Sequence, residues 1–252
     1  MRGVTGPLAV FEGNKGFIDA IAGPFLLDWT SEDLERVTCT ILKKYNAEIH
    51  SQSVLEGVLE LKHTHGFSAC DVATITIEIF AVAFHIIGGG DEGEKWCVHT
   101  KEEADHSLQY MVAVALLDDQ VMPAQYQPER LQQSDVVTLL RKVVVRPVAA
   151  YSQRFPREMP CRITIMLNNG QTWVTEKRDY EGFATRPMQW ETIVQKFSQL
   201  SAPYATAQLR THIVDTVANL ETIPITNLTR LLAQVHIPSM TISDTDHKEH
   251  VL

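Results

Sequence analysis

No apolar run in this chain approaches the ~18 residues that would mark a membrane-spanning helix. The first residues, MRGVTGPLAVFEGNKGF, lack the charged, then apolar, then small-residue order of a secretion signal. Without that signal, the Asn227-Leu228-Thr229 sequon carries no glycosylation meaning. Cysteine is scarce. Cys39, Cys70, Cys97 and Cys161 are scattered, no two at metal-ligand spacing, and iron–sulfur ligand runs are absent. This argues against an aconitase-like cluster, and the expectation is reduced, mostly buried thiols in a cytoplasmic protein with no metal and no cofactor. Positive charge is short as well: 22 Lys and Arg face 31 Asp and Glu, for a net charge of −9. That balance argues against nucleic acid or an anionic membrane as partner. It also means that any anionic substrate needs a local cluster of cations.

What is present starts with 44% hydrophobic residues over 252 positions, ample for a buried core in one large domain or two. The organising stretch is 100–117, TKEEADHSLQYMVAVALL. Thr100 and Glu103 have capping-box spacing, so a helix should start there. From Met111 on it is apolar on nearly all sides, which predicts burial. His106 and Tyr110 are four apart and would share one face, with Asp105 beside them. An acid, an imidazole and a phenol at the entry of a buried helix suit a pocket better than a core.

Along the chain, a short helix is expected at 14–22 and a strand at 34–42, where Val37, Cys39 and Ile41 alternate with polar neighbours. Ser53 and Glu56 form a second capping-box pattern, predicting a helix over 54–63 that stops at Gly66. Alternation predicts strands at 72–80 and 142–148. Asn168-Asn169-Gly170 predicts a hairpin between 161–167 and 171–176. A short helix is expected within 128–141, and helices near 188–200, 205–220 and 227–235 follow a break at 182–187. The run 88–93, GGGDEG, formally matches G-x-G-x-x-G, but Asp91 and Glu92 would repel a pyrophosphate, so it reads as a loop. Asp246, His247 and His250 sit in a polar tail that reads as frayed rather than metal-binding.

Four separated pieces carry a family resemblance: FEGNKGFIDAIAGPF at 11–25, KKYNAEIHSQS at 43–53, EEADHSLQYMVAVALLDDQV at 102–121 and IVDTVANLETIPITNLTRLLAQV at 213–235. They occur in the order of the MmgE/PrpD family, which the chain resembles up to about residue 235. Other branches carry a histidine where this chain places Gln52, so the E-x-H-S-Q form favours the branch that dehydrates 2-methylcitrate in propionate catabolism, the methylcitrate cycle. The resemblance implies an α+β fold in which a small mixed α/β domain is inserted into a larger all-helical domain. The expected division is 1–28, the end of an N-terminal helical region; 29–185, the small α+β domain; and 186–252, helices returning to the helical domain. It implies that most of the helical domain lies outside this chain, that the chain alone is inactive, and that it works as a homodimer or with a helical half.

The implied reaction is loss of water from a tricarboxylate, without a redox cofactor. A proton leaves a carbon beside a carboxylate, so cations must hold the growing charge. A base takes the proton and an acid helps the hydroxyl leave. Catalytic candidates are His106, Tyr110, Lys43 and Asp105; substrate-binding candidates are Lys44, Glu48, His50 and Arg186. Each has a bland counterpart. Lys43 and Lys44 can be a solvated strand edge, and His50 a turn histidine bonded to local backbone. His106 and Tyr110 can be packing residues, Asp105 a favourable charge at a helix start, and Arg186 a surface arginine. Rival functions are another reaction of the family, such as cis-aconitate decarboxylation, or a catalytically silent truncated chain.

Overall fold

The fold is built on β1, Val72–Ile79, which runs between two partners in the computed structural model. Ile75, Ile77 and Ile79 are buried while Thr76 and Glu78 between them are half-buried, the period-2 pattern of a strand with one face on the core. β2, Val143–Pro147, pairs parallel to β1, with Ile75 opposite Val143 and Ile77 opposite Val145. β3, Cys161–Leu167, pairs antiparallel on the other side, and β4, Thr172–Lys177, closes the sheet in the order β2-β1-β3-β4. Gly170 at φ 84 makes the β3–β4 turn, as the Asn-Asn-Gly run predicts. Residues 10–13, 16–26, 30, 40–90, 93 and 95–236 are described by the structure. Of the expected strand at 34–42, residues 34–39 lie outside them, as do the tail residues Asp246, His247 and His250, and 40–42 are not strand.

The chain divides into two compact units, 1–40 and 41–252. In the first, a wide helical turn at Ile18–Ala22 is flanked by aromatic rings, with Phe17 meeting Phe11 before it and Phe25 after it edge-on at 6.0 and 6.1 Å. The second holds the sheet and the longer helices.

Helix α1, Gln52–His65, packs against β3, β4 and the later helix Leu108–Asp118. It starts earlier than the sequence pattern suggests, because Ser53 and Glu56 are not a capping pair. Both are buried inside the helix. Gly66 ends it at φ 65, the left-handed turn a glycine takes without penalty. Gly57 lets the helix lie against the sheet: a Cβ there would stand 2.5 Å from Ile163 Cδ1.

The expected single helix over 100–117 is two. α2, Lys101–Asp105, is capped by the Thr100–Glu103 box. His106 ends it, and Ser107 starts α3, Leu108–Asp118, by accepting from Tyr110 N. Ser107 Oγ also donates to Lys95 O at 2.6 Å, which pins the break. α3 is buried from Leu108 to Leu116, as its apolar run requires; each such large side chain contributes about 1.5–3 kcal/mol. It packs on α1 and on α4, Ser134–Leu140, so the crossover from β1 to β2 carries the core's central helix. A short α5, Ala149–Arg154, follows β2.

Three further helices follow: α6, Trp190–Ser201, α7, Ala207–Ala218, and α8, Ile225–Leu232. Leu209 and Ile213 of α7 are buried, but Ile225 and Leu232 of α8 are 57% and 49% exposed, so these helices present apolar surface outward. Among the described residues, no helix is long and apolar enough to cross a membrane. Among the described thiols the expectation of mostly buried cysteines is corrected: Cys161 is buried, but Cys70 and Cys97 are exposed, because each sits in a surface loop or turn.

Candidate active site

The segment 43–52 is folded by one buried amide. Gln52, fully buried, accepts from Tyr45 N at 2.9 Å and donates toward Tyr45 O and Ala47 O at 3.3 Å. Ser51 Oγ donates to Glu48 O at 2.6 Å. With its backbone groups answered by side chains, the loop presents Glu48 and His50 in one geometry. Glu48 Oε2 accepts from His50 N at 2.8 Å, and Oε1 lies 2.6 Å from His50 Nδ1. A carboxylate only accepts, so Nδ1 carries the proton and Nε2 is left as the ring's bare nitrogen. The imidazole stands 5.5 and 5.7 Å from the stacked rings of Phe80 and Phe155, whose own centroids are 4.4 Å apart. One side of the pair is thus apolar, and the imidazole is half-buried.

Lys44 and Arg186 converge on a different carboxylate, Glu56 of α1. Lys44 Nζ lies 3.3 Å from Glu56 Oε2 and 2.8 Å from Glu181 Oε2. Arg186 Nη2 bonds Glu56 Oε1, which also takes Lys177 Nζ at 2.9 Å. The backbone N–H of Glu181 adds a bond to Glu56 Oε2 at 3.1 Å. Burial by itself would raise the Glu56 carboxyl; bonds from Arg186, Lys177 and the Glu181 N–H outweigh it and bring the pKa down to about 2. Gly182, at φ 117, makes the junction possible. Its N–H bonds Arg186 O at 2.8 Å, its carbonyl accepts from Leu42 N at 2.8 Å, and a Cβ would collide with Leu42 O. Arg186 Nε is buried without a hydrogen bond, 3.7 Å from Asp179 Oδ1.

Beside Lys44 opens a cavity of about 180 Å³, lined in part by Tyr45, Gln120, Thr192, Gln195 and Lys196. Lys196 Nζ donates to Lys43 O. Burial first, then repulsion from the Lys43 ammonium, pushes the Lys196 amine below its usual range. Lys43 itself is exposed.

The remaining candidates separate. His106 is exposed and its Nδ1 lies 3.1 Å from Glu102 O, one turn back. Asp105 is half-buried beside it. Tyr110 is fully buried, and its hydroxyl donates to Gln125 O; burial above all pushes the phenol up to about 12. Because the helix breaks at His106–Ser107, His106 and Tyr110 do not share the face that their spacing implies.

The structure therefore brings Lys44 and Arg186 together, and Glu48 and His50 together. Sequence reasoning missed Glu56, Lys177, Glu181 and Lys196. Glu56 was hidden by its capping-box spacing with Ser53, and nothing local in the sequence marks the other three. Among the described residues, no group of three or more His, Cys, Asp or Glu is placed to hold a metal ion.

This architecture, an α-helix-backed four-stranded mixed sheet with an oriented Glu–His pair, coincides with a family match. Residues 45–222 match the MmgE/PrpD C-terminal domain, and the chain belongs to the MmgE/PrpD family. Among curated proteins it is similar to the 2-methylcitrate dehydratase of Salmonella typhimurium, 28% identical over 133 residues, which are 50% of this chain and 26% of the relative. The Escherichia coli 2-methylcitrate dehydratase is 28% identical over 102 residues, 39% of this chain and 20% of that protein. The mouse cis-aconitate decarboxylase is 25% identical over 134 residues, 53% of this chain and 27% of that protein. The chain thus spans 20% to 27% of the length of these relatives.

Proposed function

We propose that this chain is the small α/β part of a hydro-lyase that removes water from 2-methylcitrate to give 2-methylaconitate. The carrying observation is the Glu48–His50 pair: a carboxylate 2.6 Å from Nδ1 fixes the ring and leaves Nε2 to exchange a proton. In this reading Lys196, which lines the cavity, and the exposed Lys43, whose carbonyl it bonds, take substrate carboxylates as a local pair of cations in a chain of net charge −9. Lys44, which lines the cavity, and Arg186 are tied to Glu56 and hold that wall in place in this reading. His106, with Asp105 beside it, stands apart from this pair on the surface, and Tyr110, bonded to Gln125 O, is a core residue in this reading.

The cavity is smaller than the ~300–1,000 Å³ usual for a small-molecule site. That favours one wall of a pocket whose other wall belongs to a helical domain, into which the α/β block is inserted in this reading. A homodimer, or pairing with such a helical part in the cytoplasm, completes it. The test is to incubate the chain, with and without the helical region of a longer relative, with 2-methylcitrate and to follow the ultraviolet absorbance of the unsaturated product. Absorbance rising only in the mixture is the expected result. No rise with both parts folded and associated overturns it, and release of carbon dioxide from cis-aconitate points instead to the chemistry in the mouse relative's name.

A further inference from the structure

Away from that site, three side chains have the arrangement of an activated nucleophile. Cys97 Sγ lies 3.0 Å from His99 Nε2. The other ring nitrogen, Nδ1, lies 2.6 Å from Gln132 Nε2, and the same amide reaches Val98 O at 3.5 Å. Gln132 stands just ahead of α4, so a residue distant in sequence holds the ring. The amide N–H donates to Nδ1. This leaves the ring proton on Nε2, aimed at sulfur. A hydrogen bond donated to sulfur favours the thiolate, which is the reactive form. The main chain is fixed independently of the imidazole, since His99 N and Thr100 N both donate to Glu103 Oε2, at 2.7 and 3.1 Å. Those two bonds hold the exposed Glu103 carboxyl below its usual range.

The other described thiols lack this arrangement. Cys70 is exposed, but the hydrogen-bond neighbours of its sulfur are Ser68 Oγ at 3.2 Å and the Asp71 carboxylate at 3.9 Å, neither of them an imidazole. Cys161 is enclosed in the core, and burial first of all pushes its thiol up to about 12.

We propose that Cys97 is a modification site for soft electrophiles, with His99 as the hydrogen-bond donor to its sulfur and Gln132 as the positioning residue. In the step, the thiol proton passes to water, the sulfur lone pair forms the S–C bond, and the leaving group departs with its bonding pair. With iodoacetamide as probe, the C–I bond breaks and iodide leaves; nothing is oxidised or reduced. The site is independent of the dehydratase reading.

The experiment treats the intact chain with limiting iodoacetamide at neutral pH and follows each cysteine by peptide mass spectrometry. Cys97 reacts about tenfold faster than Cys70 in the same sample. His99→Ala, which leaves the Glu103 bonds to main chain in place, brings the Cys97 rate down to that of Cys70. Gln132→Leu lowers both the Cys97 rate and the ultraviolet thiolate absorbance that Cys97→Ser removes, a signal that a merely structural glutamine would not move. Equal rates for Cys97 and Cys70 in the unaltered protein, or a Cys97 rate unchanged by His99→Ala, overturn the proposal.

Discussion

Glu56 Oε1 lies 2.9 Å from Lys177 Nζ, one residue inside a helix and the other at the end of the sheet's edge strand, and the same oxygen takes Arg186. Glu56 is nearly fully buried, at 4% exposure of its side chain. A carboxylate so placed is stabilising only while its cations remain. Removing it should cost more than removing a surface ion pair, because Lys177 and the partly buried Arg186 lose their counter-charge together. We predict that Glu56→Ala lowers unfolding free energy by about 3–5 kcal/mol, the range for breaking a buried pair. Lys177→Ala should cost less, since Lys44 and Arg186 still neutralise Glu56. Chemical denaturation of the two variants checks the order, and a Glu56→Ala loss below about 1 kcal/mol is incompatible with it.

The same junction sets an acid response. The Glu56 carboxyl is depressed from 4.5 to about 2 in the folded chain. A depressed carboxyl binds protons more weakly folded than unfolded, so its stabilisation is complete above the unfolded value and is lost as pH falls toward the folded one. The window is therefore about 4.5 down to about 2. At ~1.36 kcal/mol per pKa unit, the amount at stake is roughly 3 kcal/mol. Glu56→Gln should be less stable than the unaltered chain at neutral pH, and the gap should close across that window. A gap that stays constant on acidification would mean that the carboxyl is not depressed.

Two glycines carry the geometry of the site and should differ in cost. At Gly57 an added methyl meets Ile163 Cδ1, the end of a side chain that can give slightly. At Gly182 it meets the Leu42 carbonyl, and the backbone is at φ 117, where side chains are strained. Gly57→Ala should cost about 1–3 kcal/mol by overpacking. Gly182→Ala should cost more, with strain of ~1–3 kcal/mol added to the clash. It should also displace Lys44 and Arg186, because Leu42 and Arg186 hydrogen-bond through that glycine. Equal thermal midpoints for the two variants would contradict this.

Regular elements were readable from local pattern where burial and period agree. The alternation at Val72–Ile79 and the Asn-Asn-Gly turn predict the strand and hairpin that form. The capping box at Thr100 is where it should be. Pattern failed where one residue serves tertiary partners. Ser107 interrupts the helix because its hydroxyl reaches Lys95 O, a contact no window around 100–117 contains. Glu56 has the spacing of a capping residue and yet points to cations brought in by β4 and the loop at 181–186. One of the four family segments, 43–53, names the Glu48–His50 and Lys44 stretch. The pairing of Lys44 with Glu181 depends on Gly182 and could not be read from either segment.

The last prediction separates the two imidazoles. His50 is oriented by Glu48 and half-buried against Phe80 and Phe155, whereas His106 is exposed and, among the described residues, its ring lies beside a carbonyl of its own helical turn. Proton transfer by a positioned side chain contributes typically 10²–10⁴-fold to rate, and the positioning is what His50 has. In an assembled enzyme containing this chain, His50→Asn should lower turnover by about 100-fold or more with little change in substrate binding. Glu48→Gln should lower it less, since an amide oxygen can still accept from Nδ1 but no longer stabilises the imidazolium. His106→Asn should leave turnover closer to normal than either. These variants change one polar group for another of similar size, so circular dichroism and thermal midpoints should stay near those of the unaltered protein. If His106→Asn abolishes turnover while His50→Asn preserves it, the acid–base role belongs to the break between α2 and α3, and the Glu48–His50 pair is a packing feature of the loop.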